Sequence, residues 1–156
     1  MTTVNVKDIA TIAGLVVACV SLVFTAVNTR LGSRTNRARF WLDLRDRFTR
    51  HDSVHRRLRP GGSWADGAGP TTPEEWADVE AYMGLFEHCE VMLHQHLLDE
   101  ETFNEIYGYR VENILANDVI RCAKLVPPLA AGWKHFLALV KRMDYKIEPC
   151  RKDAQA

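Results

Sequence analysis

From Ile9 to Val27 the chain reads IATIAGLVVACVSLVFTAV, an unbroken run without a charged side chain. A helix rises about 1.5 Å per residue, so this run would cover roughly 28 Å, close to the hydrocarbon thickness of a bilayer. An uncharged stretch of that length near an amino terminus favours a membrane-spanning helix over a buried core helix. A cleaved signal peptide would need a basic start and small residues before the cut. Here only Lys7 precedes the run, Asp8 adjoins it, and Phe24 with Ala26 makes a poor small-x-small site. The prediction is an uncleaved single-pass signal anchor within residues 1–29, a helical domain over 30–148 and a flexible tail over 149–156.

Basic residues beside a membrane helix are retained on the cytoplasmic side. Arg30, Arg34, Arg37 and Arg39 follow the run, which predicts an outside amino terminus and a cytosolic domain at a bacterial cytoplasmic membrane. The same arginines are positioned to contact anionic lipid headgroups, at about 1 kcal/mol each near the surface. Ala10, Gly14 and Ala18 recur every fourth residue, a small-residue spacing that lets two membrane helices approach closely. Self-association is therefore one expected use of the anchor.

The charge is patterned even though 20 basic and 20 acidic residues cancel. Ten arginines crowd residues 28–60, thirteen acids crowd 61–118 against Arg110 alone, and the tail turns basic again. That order invites pairing between helices, and the overall balance gives no reason to expect nucleic acid as a partner. Cys19, Cys89, Cys122 and Cys150 lie far apart and form no C-x-x-C pair, which predicts reduced cytosolic thiols rather than a zinc site.

Apolar periodicity predicts an all-α chain, an N-terminal transmembrane helix followed by a small four-helix bundle-like cytosolic domain. Trp41, Leu44, Phe48, His51, His55 and Leu58 share one face of a first helix, which Arg59-Pro60-Gly61-Gly62 ends. A surface loop follows. Thr72-Pro73-Glu74-Glu75 then starts a second helix with a capping box, striped by Val79, Tyr82, Met83, Phe86, Leu93 and Leu97. Asp99 caps a third, carrying Phe103, Ile106, Tyr107, Val111, Ile114 and Leu115 and stopped by Pro127-Pro128. Leu129, Trp133, Phe136, Leu137 and Val140 line a fourth.

Several short motifs within that frame look familiar: Phe40-Trp41, Leu85-Phe86-Glu87, Leu98-Asp99-Glu100-Glu101-Thr102-Phe103, Tyr107-Gly108 and the late Trp133. Together with one N-terminal membrane helix they resemble a bacterial family of single-pass, membrane-anchored helical domains of unknown function, the domain of unknown function 4760 type. The resemblance implies the same architecture and supplies no catalytic residues.

Two constellations bear on chemistry. Glu87, Glu90 and His94 fall at steps of three and four on the second helix, a row capable of holding a metal, although the later helices offer no matching set. Arg45, Asp46 and His51 resemble the arginine, polar residue and histidine of the HEPN ribonucleases. There His would act as acid or base toward a ribose hydroxyl and Arg would steady phosphate charge. A window so rich in arginine generates such spacings by chance, and Arg50 to His55 is a second instance. The leading expectation is a non-enzymatic interaction or regulatory module without a cofactor, its partners the lipid bilayer and a protein or a second copy. The membrane-tethered ribonuclease is the alternative.

Overall fold

In the computed structural model the described residues are 21–22, 24–25, 38–65 and 67–150. The predicted anchor and Arg30, Arg34 and Arg37 lie outside them, apart from helical residues 21–22 and 24–25 of the run. Among the described residues no helix is long and apolar enough to cross a membrane. The chain divides after Asp46 into two compact units, of which the second is Arg47–Ala156.

The described chain is all-helical. Residues 38–50 form α1, and His51 is a turn before α2, Asp52–Leu58. The remaining helices are α3, Pro73–His94; α4, Glu100–Ala116; α5, Asp118–Lys124; and α6, Lys134–Arg142, which continues from a 3-10 turn over Leu129–Trp133. The apolar pattern did not register the breaks at His51 and Asn117, so the first and third predicted helices each appear as two shorter pieces.

Local chemistry explains the starts. At α3 the Thr72 hydroxyl accepts the Glu75 amide at 3.3 Å, and the Glu75 carboxylate reaches back to the Thr71 amide at 2.8 Å. At α4 the Asp99 carboxylate accepts the Thr102 amide at 2.9 Å. Asn117 performs the third such task. Its side-chain oxygen accepts the Ile120 amide at 2.9 Å, while its side-chain nitrogen donates to the Trp64 and Ala68 carbonyls, each at 2.8 Å. One buried side chain thus ends α4, starts α5 and pins the loop after α2.

That loop is consequently not a free surface segment. Trp64 is buried, with the Arg57 guanidinium 4.8 Å above its ring. The core is an aromatic cluster in which Phe48 stacks on Tyr107 at 4.0 Å and meets Phe86 edge-on at 5.1 Å. Phe86 in turn meets Phe136, because α6 packs along α3. Leu139, rather than Leu129, fills the α6 face: Leu129 is exposed in the 3-10 turn, whose tighter pitch rotates it out of the predicted stripe. Leu97 is also exposed and Leu98 buried, because α3 stops at His94 and His96 takes a positive φ of 56°.

The charge pattern pairs as its order predicts. Arg57 binds Glu75, Lys124 binds Glu80, and Arg142 binds both Glu90 and Glu100. The expectation of reduced thiols is corrected at one pair, because Cys122 of α5 and Cys150 form a disulfide with Cα atoms 5.6 Å apart. After α6 the chain returns over α4, where the Tyr145 hydroxyl meets Asn104 at 2.9 Å, and so brings two cysteines distant in sequence together. Residues 149–150 of the predicted tail are thereby fastened. Cys89 is a buried free thiol whose pKa burial pushes up to about 12, and Cys19 lies outside the described residues.

Candidate functional site

The row that suggested a metal is divided among structural tasks. One Glu87 carboxylate oxygen accepts the His135 and Phe136 amides at 3.1 and 3.4 Å, which caps the first turn of α6. Glu90 is buried and grips Arg142 through two bonds of 2.8 and 2.7 Å. His94 is exposed at the last turn of α3. Among the described residues no group of three or more His, Cys, Asp or Glu side chains is placed to hold a metal. The acid positions were legible as one helix face, but their partners come from α6, some fifty residues away, and periodicity carries no trace of that pairing.

Arg45 and Asp46 are exposed and belong to the first unit, whereas His51 is half-buried and belongs to the second. Arg39, the one described member of the headgroup set, is exposed.

Within the second unit His51 faces a different set. It lines a groove of about 280 Å³ together with Arg47, Arg50, Gly84, Leu85 and His88. Arg47, Arg50 and His51 sit at steps of three and four along the end of α1, and Gly84 and His88 are one turn apart on α3. The His88 Nδ1 lies 2.9 Å from the Gly84 carbonyl oxygen, to which it donates, so Nε2 is the nitrogen left for other contacts. Burial lowers the His51 pKa, Asp78 opposes that effect and Arg50 reinforces it. None of the groove-lining residues is acidic. His88 and Gly84 escaped the sequence reading because α3 contributes them from another part of the chain.

A second polar cluster gathers around Arg110. Its Nη2 reaches Asp52 at 3.2 Å and its Nε meets the Tyr109 hydroxyl at 3.2 Å. The Tyr82 hydroxyl and the Arg110 guanidinium face each other there, and the His55 Nδ1 is buried without a hydrogen-bond partner. Burial raises the Tyr82 pKa, while burial and then Arg110 lower that of His55. These groups lie against the aromatic core, since Arg110 also stands 5.4 Å over the Phe48 ring.

The larger cleft, about 560 Å³, is bounded by Glu112, Asp118, Arg121, Tyr145, Lys146 and Glu148. Its charges are mixed. Arg121 is already committed there to the Leu115 carbonyl at 2.6 Å and to Asp118. No protein-family model matches the chain, and no curated protein or solved structure matches it significantly either.

Proposed function

We propose that the chain is a membrane-tethered helical module that binds a protein partner, or a second copy of itself, at the inner face of a bacterial cytoplasmic membrane, without catalysis. The anchor is the uncharged run Ile9 to Val27, and Arg30, Arg34, Arg37 and Arg39 hold the domain on the cytosolic side. The observation that carries the non-enzymatic reading is the use of Glu87 and Glu90 within the framework: one caps α6 and the other holds Arg142. Acids spent on helix capping and ion pairing are not poised as bases or metal ligands.

The recognition surface in this reading is the outer face of α4. Glu101, Glu105 and Glu112 are exposed there at helical spacing. Tethering raises the local concentration of such a face near membrane partners, so modest affinity suffices. Reversing all three charges to lysine should abolish co-purification of the partner from detergent-solubilised membranes while leaving the helical content unchanged. Undiminished co-purification would remove α4 as the recognition surface.

A second reading, a ribonuclease using His51, draws on the placement of that imidazole beside Arg47, Arg50 and His88 in one groove. Two imidazoles with two guanidinium groups are the parts that phosphodiester transfer needs. Incubation of the full-length chain with RNA separates the readings. Intact RNA at high protein concentration is the expected result, and cleavage abolished by His51→Ala would replace the module with an enzyme.

A further inference from the structure

Gly84 lies in the interior of α3, a helix of 22 residues, where glycine is tolerated worse than any residue except proline. Close packing usually accounts for a glycine so placed. It does at Gly108, where an added Cβ would come within 2.6 Å of the Tyr145 hydroxyl. At Gly84 an added Cβ would meet nothing within 4 Å. Among the described residues nothing fills the space beside Gly84, and that space opens on the groove of Arg47, Arg50, His51 and His88.

We infer that this groove binds a phosphate monoester, seated against the bare backbone at Gly84 and held by the four basic side chains. Guanidinium groups stay charged at every physiological pH and offer paired N–H donors that match phosphate oxygens. His88 is held through Nδ1 by the Gly84 carbonyl, which leaves Nε2 as the ring nitrogen for an outside contact. Asp78 is the acid that acts on His51, and it does not line the groove. The lining holds no Phe, Tyr or Trp ring, and its four basic side chains favour the phosphate itself as the recognised group. At about 280 Å³ the groove suits a phosphate bearing a short polyol better than a larger ligand. A lipid headgroup with a terminal phosphate and a soluble phosphomonoester share this chemistry. The inference stands whether or not the chain is anchored.

The test is calorimetric titration of the full-length chain in a neutral detergent with inorganic phosphate and with sn-glycerol 3-phosphate. Saturable binding of both is expected, weakened about tenfold or more by the double substitution Arg47→Gln with Arg50→Gln. Both arginines are exposed, so the variant should keep its melting temperature. Gly84→Leu supplies a second, independent variant. It places a good helix former where the groove is open, so binding should fall by a similar factor while the melting temperature does not drop. Displacement by dihexanoyl phosphatidic acid at about a tenth of the glycerol phosphate concentration would assign the site to a headgroup, and equal displacement would assign it to a soluble phosphomonoester. Absence of saturable binding, or binding unchanged in both variants, overturns the inference. So does tighter binding of an RNA hexamer lacking terminal phosphates, if the same substitutions abolish it.

Discussion

Replacing Arg142 by leucine should destabilise the helical unit by about 3 kcal/mol, because it strands a buried carboxylate. Glu90 is only 5% exposed and both its oxygens point at Arg142, at 2.7 and 2.8 Å. Removing one member of a buried pair typically costs about 3 to 5 kcal/mol, and the lower end applies here because the Arg142 side chain is 26% exposed and water can enter. The pair itself is worth much less, since desolvation of both ions offsets most of their attraction. Glu90→Leu combined with Arg142→Leu should therefore lie within about 1 kcal/mol of the wild type, with a coupling of roughly 2 kcal/mol between the sites. Urea unfolding followed by circular dichroism measures each term, provided the slope with denaturant is constant across the four proteins. For a chain of this size a loss of 3 kcal/mol corresponds to a melting temperature lower by about 6 to 12 °C. Single substitutions that each cost less than about 0.5 kcal/mol and simply add would refute the assignment of Glu90 as a committed structural acid, and with it the main ground for excluding it from chemistry.

Asn117→Ala removes a helix cap together with one buried and one part-buried hydrogen bond, and a loss of about 2 to 4 kcal/mol in the same unfolding assay is expected. Gly84→Ala should instead raise stability by about 1 kcal/mol, since the methyl group meets nothing and alanine is the better helix former. Hydrogen bonds from the Thr71 backbone and then Arg57 lower the Glu75 pKa from 4.5 to about 2. Its contribution is thus full above about pH 4.5 and fades as pH falls toward 2, so the acid limb of a stability profile should flatten in this window in Glu75→Gln. The Cys122–Cys150 bond spans a sequence separation of 28, for which loop closure sets an upper estimate of about 3.5 kcal/mol lost on reduction or in Cys122→Ser. Alkylation inside living cells should find both cysteines as thiols if the domain is cytosolic, and a mass lacking both alkyl groups would place it on the oxidising side.

The sequence disclosed the elements whose signals are local. Thr72, Pro73 and Asp99 mark helix starts that stand in the structure where the caps predicted them, and Phe48, Tyr82, Phe86 and Tyr107 occupy the core that their spacing implied. Features that depend on two distant segments were hidden. The commitments of Glu87 and Glu90 to α6, the closure of Cys122 on Cys150, and the meeting of Arg47 and Arg50 with His88 across a groove all require the tertiary arrangement. One side of the groove nonetheless carries a local signal. Gly84 is an unfavourable residue inside a strong helical pattern, and His88 follows it by one turn, a combination that already pointed to an opening on α3.

The most direct test of the membrane-tethered module is alkaline carbonate extraction of membranes from bacteria producing the full-length chain. A helix among acyl tails resists extraction that strips peripheral proteins, so the chain should remain in the pellet and dissolve only with detergent. Recovery in the carbonate supernatant as a dispersed monomer would contradict the proposed anchor and the function built on it.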